Sequence, residues 1–261
     1  MSSAKKFEAL RTVFAILVAL AISFVIIFMV SEQPLEAIYQ LLTGPLSSKR
    51  NFGNVLESMV PLIFTGTGVC IMFSANQINL ASEGAFHIGG LIASCVAIYV
   101  TANFVSPVLA IICAGIVGAL FTAIPAVMKI TTSAPELVSS LMINYLALYF
   151  GNYMLNNVIG DPKASAASYA LSEASELPVF ISRTRVHVGF LLAIIVAVLG
   201  YVFLYRTKMG YELRLTGENG SFAKYSGISI VKVILISQLL GGFIAGMGGG
   251  VEMLSPIYAR F

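Results

Sequence analysis

"TVFAILVALAISFVIIFMVS", Thr12 to Ser31, is a run of twenty residues without a charge. A helix needs about 20 consecutive apolar residues to cross the hydrocarbon of a bilayer, so this run is long enough to be a membrane span. The rest of the chain has the same character. Of its 261 residues 58% are hydrophobic and only 10% charged, where a soluble domain carries roughly 25% charged residues. The expected fold is an all-α polytopic membrane protein, one transmembrane domain over residues 1–261. Lys5, Lys6 and Arg11 precede the first apolar run as they would in a signal peptide. The run is too long for a signal core and no small-x-small cleavage site follows it, so it reads as a span that stays in the protein.

Apolar windows predict seven spans, near residues 12–31, 52–74, 85–103, 106–128, 136–157, 187–205 and 231–250. Between the first two, Leu35, Ile38, Leu41 and Leu42 share one helical face, which suits a helix lying on the membrane surface. With the N-terminus in the cytoplasm, nine Lys and Arg fall inside (Lys5, Lys6, Arg11, Lys129, Arg206, Lys208, Arg214, Lys224, Lys232). Six fall outside (Lys49, Arg50, Lys163, Arg183, Arg185, Arg260). The positive-inside rule favours this orientation. Residues 158–186 then form an external loop and residues 206–229 a cytoplasmic one. A net charge of +3 is too small to suggest nucleic acid. The three cysteines, Cys70, Cys95 and Cys113, all fall inside spans and read as small hydrophobes rather than as a disulfide framework or metal site.

Polar residues inside the spans need a reason. Glu57 sits a little way into the second span; it either faces a cavity or snorkels toward the outer surface near Arg50. "NQINLASEG", Asn76 to Gly84, is polar without a Lys or Arg. That suits a discontinuous helix lining a water-filled path, the alternative being a tight turn capped by Ser82. In "TTSAPELVSSLMINYLALYFGNYML", Ser133 offers a hydroxyl cap, Pro135 a helix start and Glu136 an acid at the positive dipole end. Ser139, Ser140, Asn144 and Tyr145 give that helix a polar side, for bonding to neighbouring helices or facing a pore. In the last span Gly242, Gly246 and Gly250 stand four apart and permit close helix approach. The triplet Gly248 to Gly250 is expected to break the helix. His87 and His187 are isolated and read as interfacial or internally satisfied residues. No catalytic motif is present, so an enzyme acting alone is not expected.

The most polar stretch of the second half is "MGYELRLTGENGSFAKYSGIS", Met209 to Ser229. From Thr216 or Asn219 to Ser226 it can form a short helix, with Thr or Asn as N-cap and Gly227 as the left-handed residue past its end. Phe222 and Tyr225 share a face. So short a helix is unstable alone and must dock, on its own bundle or on a soluble partner.

These residues carry a resemblance. "RLTGENGSFAKYSGIS" resembles the cytoplasmic coupling segment of ATP-binding-cassette importer permeases of the ribose, branched-chain amino acid and nucleoside branch. The matching positions are Arg214, Gly217, Asn219, Ala223, Tyr225, Gly227 and Ile228, and Leu215 and Phe222 stand where that family usually has alanine. "INLASEG" is similar to the signature of the nucleoside and simple-sugar members through Asn79, Glu83 and Gly84, but departs at Ile78, Ala81 and Ser82. "PELVSSLMINYLA" is similar through Glu136, Val138, Leu141, Met142, Asn144 and Tyr145, and the glycine run into Val251, Glu252 and Met253 also fits.

The resemblance implies a permease subunit of an ATP-driven importer for nucleosides or ribose-like sugars. It implies a second permease subunit, identical or not, cytoplasmic ATPases that bind the ATP, and an external substrate-binding protein or lipoprotein, with no cofactor or metal in this chain. Asn79, Glu83, Asn144 and Glu57 would lie on the substrate path. Arg214, Gly217, Glu218, Asn219, Tyr225 and Gly227 would couple to the ATPase. The family continues past the glycine-rich span, whereas this sequence stops at Phe261, so either it is a C-terminally truncated chain or a span is miscounted. The competing readings are an ion-driven secondary transporter using Glu57 or Glu83, and a non-transporting membrane subunit. The short docking helix counts against the first and the polar break against the second.

Overall fold

The structure is a computed structural model that describes residues 3–100, 105–162, 167–171, 175–180, 184–255 and 261. Lys163, Glu173, Arg183 and Arg260 of the predicted external segments lie outside the described residues, as does the end of the third predicted span. The chain divides into two units, Met1–Val55 and Leu56–Phe261. The first holds α1 (Ser3–Val30), α2 (Pro34–Thr43), a 3-10 turn and the start of α3 (Lys49–Ser74). From Val13 onward the large apolar side chains of α1 are mostly exposed, as a lipid-facing helix requires. α2 begins with Pro34, whose fixed φ suits a first helical position. It buries none of its residues, and Leu35, Leu41 and Leu42 stay exposed, available to a membrane surface.

The second unit holds the rest of α3, then α4 (Ser82–Tyr99), α5 (Ser106–Thr132), α6 (Glu136–Asn157) and α7 (Gly189–Arg206). α8 (Lys208–Glu218), α9 (Gly220–Tyr225) and α10 (Ile230–Met253) complete it. Among the described residues there is no strand, only isolated bridges between Gly160 and Ser168 and between Val179 and His187. This is an all-α multi-pass membrane protein. Among the described residues five helices are long and apolar enough to cross a membrane: α1 from Leu10, α3, α5, α7 and α10. α4 and α6 occupy the two remaining predicted segments; with 18 and 22 residues they have the length, and their polar residues keep them below that apolarity.

α10 is central, packed between α4 and α5. The approach is backbone to backbone. A Cβ on Gly246 would lie 3.0 Å from the Gly118 Cα and overlap the Ala114 carbonyl, and a Cβ on Gly89 would lie 2.7 Å from the Gly246 Cα. The expected break at Gly248 to Gly250 does not occur: α10 continues to Met253. Gly248 lies against Phe64, Gly249 against the Phe86 carbonyl and Gly250 against Ala114. Each glycine costs about 1 kcal/mol of helix propensity, and the contacts that only a bare backbone permits offset it. Ser133 also differs from expectation. It does not cap α6 but ends α5, in the left-handed region at φ +55°, with its N–H donating to the Lys129 carbonyl at 3.1 Å. Only Ala134 and Pro135 separate it from Glu136, so the chain must reverse at once.

Within this unit the connections sort to two ends. Residues 75–81, 129–136 and 207–229 gather at one. At the other, Ser106 meets Ser175, and Leu177 donates its N–H to the Leu254 carbonyl at 2.9 Å. His187 is buried there, its Nδ1 accepting from the Gly189 N–H at 3.1 Å, and half-buried His87 packs on Phe261.

Candidate functional site

The polar segment after α3 breaks the helix as its composition predicts. α3 ends at Ser74, Asn76 takes φ +54°, and α4 starts only at Ser82. Through the break residues alternate: Ala75, Gln77, Asn79 and Ala81 are buried, while Asn76, Ile78 and Leu80 are exposed. A buried extended segment strands backbone and side-chain polar groups, and each needs a partner.

The partners come from three helices. From α5, the Lys129 ammonium donates to Gln77 Oε1 at 2.6 Å and to Glu136 Oε2 at 2.7 Å. The other Glu136 oxygen accepts from Gln238 Nε2 on α10. Gln238 Oε1 accepts from Asn79 Nδ2 at 2.6 Å, and Asn79 Oδ1 accepts from the Ala81 N–H at 2.7 Å. Gln77 Nε2 donates to the Ala75 carbonyl at 2.8 Å. The bonds therefore run from one end of the break through α5, α6 and α10 and back to its other end. Thr122 adds a bond from its hydroxyl to the Gln238 carbonyl at 2.8 Å. Glu136 is a buried carboxylate, tolerable because both of its oxygens are engaged.

A second anchor holds the start of α4. Its N-cap residue, Ala81, has no side chain able to cap. Asn144 of α6 substitutes: its Oδ1 accepts from the Gly84 N–H at 2.9 Å and its Nδ2 donates to the Leu80 carbonyl at 2.8 Å. Ser140 Oγ accepts from the Leu80 N–H at 3.2 Å. Gly84 is required for this approach, since a Cβ there would lie 2.7 Å from Asn144 Oδ1. Ser139 bonds only carbonyls of its own helix, and Tyr145 lies on the opposite, exposed side.

Of the four residues expected on a path, the structure thus brings Asn79 and Asn144 to the break, both buried. Glu83 is exposed in the first turn of α4. Glu57 is half-buried on α3, and its charged neighbours are Arg185 and Glu252. Gln77 stands in the polar break that the sequence marks, but Gln238, Thr122 and Lys129 carry no such mark as site residues. A lone Gln in the apolar run "VILISQLLGG" was the available signal, because an unpaired amide inside a span needs a partner.

The second candidate site is the α8–α9 module. Thr207 Oγ1 caps α8, accepting from the Gly210 N–H at 3.1 Å. Fully buried Leu213 anchors α8 in a cluster with Ile71, Ala75, Leu204 and Val233. Arg214 turns back on its own bundle, its Nε donating to the Leu204 carbonyl at 3.1 Å and its guanidinium 4.9 Å from the Tyr205 ring centre. Gly217 packs on the end of α3, where a Cβ would overlap the Ser74 carbonyl and lie 3.2 Å from the Asn76 nitrogen. α8 therefore bears directly on the break.

Asn219 then caps α9, its Oδ1 accepting from the Phe222 N–H at 2.9 Å. Gly227, at φ +82°, ends it. The Ile228 N–H reaches the Ala223 carbonyl at 3.0 Å and the Gly227 N–H the Lys224 carbonyl at 3.1 Å, the paired bonds of a Schellman motif. Ala223 is buried, Glu218 is exposed, and Phe222 and Tyr225 stand 55% and 92% exposed. A six-residue helix held at both ends thus presents two aromatic rings outward.

Residues 51–261 match the family described as branched-chain amino acid transport system / permease component. The chain belongs to this family. Among curated relatives it is 30% identical to the guanosine ABC transporter permease protein NupP of Bacillus subtilis, over 77% of this chain and 59% of that one. It is 29% identical to the glucose ABC transporter permease protein TsgB13 of Haloferax volcanii, over 92% and 67% of the two chains. It is 25% identical to the nucleoside ABC transporter permease protein NupB of Lactococcus lactis, over 92% and 70%. The chain thus spans about three-fifths to two-thirds of the length of these relatives. No solved structure matches it.

Proposed function

We propose that this chain is a permease subunit of an ATP-driven importer whose solute is a nucleoside. The α8–α9 module carries the reading: a capped short helix whose two exposed aromatic residues, Phe222 and Tyr225, point away from the bundle. Among the described residues of the second unit nothing covers those rings, and a helix this short gains its stability from what it docks on. The occupant of that face is a cytoplasmic ATP-binding-cassette ATPase, which binds and hydrolyses the ATP. The N-terminus is cytoplasmic, which places α9 on the same side. A second permease subunit and an external substrate-binding protein complete the assembly. The names of two relatives, a guanosine and a nucleoside transporter permease, support the solute class.

In this reading Phe222, Tyr225 and Glu218 meet the ATPase, while Asn219 and Gly227 hold α9 in shape and Arg214 ties α8 to α7. Closure of the ATPases moves α8, and Gly217 passes the movement to the end of α3 and the break beyond it. Asn79 and Asn144 act as positioning residues that hold the break and the start of α4 on α6, and Glu83 and Glu57 lie on the path. Such switching of packed elements against one another is the usual form of alternating access.

The test is reconstitution into proteoliposomes with the ATPase, partner permease and binding protein of the same cell. ATP-dependent guanosine uptake is expected, and uptake lost in Gly217→Val while ATP is still hydrolysed. A folded assembly that hydrolyses ATP and moves no nucleoside would overturn the substrate. One that imports nucleoside without ATP would overturn the mechanism.

A further inference from the structure

α6 is polar on two sides. Its buried side (Glu136, Ser140, Asn144, Gly151) faces α4 and α5, the helices it packs on. The opposite side changes character along the axis. Near its start it carries exposed Val138, Leu141 and Met142; from its middle onward it carries Tyr145, Tyr149, Asn152, Tyr153 and Asn156, flanked by exposed Leu146 and Phe150. These follow one another at helical spacing, so they form one stripe. The three tyrosines are 61%, 72% and 60% exposed. Among the described residues none of their hydroxyls has a hydrogen-bond partner.

Depth makes this a statement about surroundings. At about 1.5 Å per residue, Tyr145 lies roughly 14 Å from the start of α6, near the centre of a hydrocarbon layer about 30 Å thick. Tyrosine belts sit at the two interfaces, not at the centre. A phenol facing lipid tails at that depth would go unsatisfied. α7 supplies the contrast: through its first turns its exposed side is Leu191, Ile194, Ile195, Val198, Leu199 and Val202, as lipid demands, and its exposed tyrosines, Tyr201 and Tyr205, come only in the last turns, toward the interface.

We propose that the Tyr145–Tyr149–Tyr153 stripe of α6, with Asn152 and Asn156, is the solute-contacting wall of the transport path, built for a neutral, flat, polar solute of nucleoside type. Aromatic rings stack on heterocyclic bases without regard to base identity, and carboxamides bond base edges. Residues 137–157 hold no Asp, Glu, Lys or Arg. A nucleotide would therefore find no cation for its phosphate, and the wall selects the uncharged solute. The apolar start of the stripe, Val138 to Met142, closes the wall toward the end where the break lies. The proposal rests on the import reading for its solute, but its claim that the face is wet stands apart from that reading.

The test uses the assembled complex in proteoliposomes, with Cys70, Cys95 and Cys113 replaced by alanine. Single cysteines are placed at Tyr149→Cys and, as the lipid-facing control, Val198→Cys. A membrane-impermeant methanethiosulfonate should modify the first and not the second. Millimolar guanosine should slow that modification at least about 5-fold while guanosine 5′-monophosphate leaves it unchanged. Tyr149→Phe should keep uptake within about 3-fold, and Tyr149→Leu should lower it about 10-fold. No modification at position 149, or a disulfide joining two copies there, would overturn the proposal, because the face would then be lipid or a subunit contact. Modification that guanosine does not slow, in a complex that imports guanosine, would overturn it equally. If the alanine parent complex fails to import guanosine, the import reading fails on its own, and the labelling contrast between α6 and α7 still decides whether the face is wet.

Discussion

Replacing Lys129 with methionine strands a carboxylate. In the native bundle Glu136 is 5% exposed at its side chain and Lys129 33%, with 2.7 Å between them. Removing one partner of a fully buried pair costs about 3–5 kcal/mol. Lys129 is partly hydrated, so water takes over some of its role, and the expected cost of Lys129→Met is about 2–3 kcal/mol, including the Gln77 oxygen that loses its donor. Glu136→Gln should cost only about 1 kcal/mol, because the lysine left behind reaches water and the new amide still accepts from Gln238. The double variant removes the stranded charge and should recover about 1–2 kcal/mol relative to Lys129→Met alone. At about 2–4 °C per kcal/mol for a chain of this size, Lys129→Met should lower the apparent Tm by about 4–12 °C in detergent. The assay is size-exclusion of heated samples, read as the fraction remaining monodisperse. A Glu136→Gln loss equal to or larger than that of Lys129→Met, or a double variant as unstable as the two losses added, would refute the argument from unequal burial.

Gly249→Ala puts a methyl group onto the Phe86 carbonyl; separation of α10 from α4 should cost about 1–3 kcal/mol, measured as a lower Tm in the same assay. Asn219→Ala removes the α9 cap, which should cost about 1 kcal/mol locally and speed amide exchange at Phe222 while leaving α10 protected. Gly227→Ala meets no neighbouring atom but must adopt φ +82°; a loss of about 1 kcal/mol is expected, with Gly227→Asn milder than Gly227→Ala in the same exchange measurement.

Local features were readable wherever one short segment decides them. The cap at Asn219, the left-handed Gly227 and the helix break after Ser74 depend on neighbours in sequence, and residue type alone points to them. Ser133 misled because two helix ends meet within three residues, and a hydroxyl suits either end; the left-handed turn needed to close α5 took it. The glycine triplet misled because propensity favours a break while α4, α5 and the start of the second unit press against a bare backbone there. The ring of bonds around the break joins Asn79 to Gln238 across 159 residues and Gln238 to Glu136 across 102, separations at which no spacing rule operates. The tyrosines of α6 were in plain view in the sequence. With polar groups on both sides of the helix, only the packing distinguishes the side that staples the break from the side left uncovered.

The account stands most directly on α9 as a docking helix. The chain should be co-expressed with the ATP-binding-cassette subunits of the same cell, purified in detergent, and scored for retained ATPase, alongside a Phe222→Ala/Tyr225→Ala variant. Both rings are exposed and neither supports the bundle, so the variant should match the parent in expression and Tm. The account predicts that the parent retains an ATPase and that the variant loses at least about nine-tenths of it, as truncation of two aromatic anchors does at an interface. Equal retention by the two proteins would contradict it.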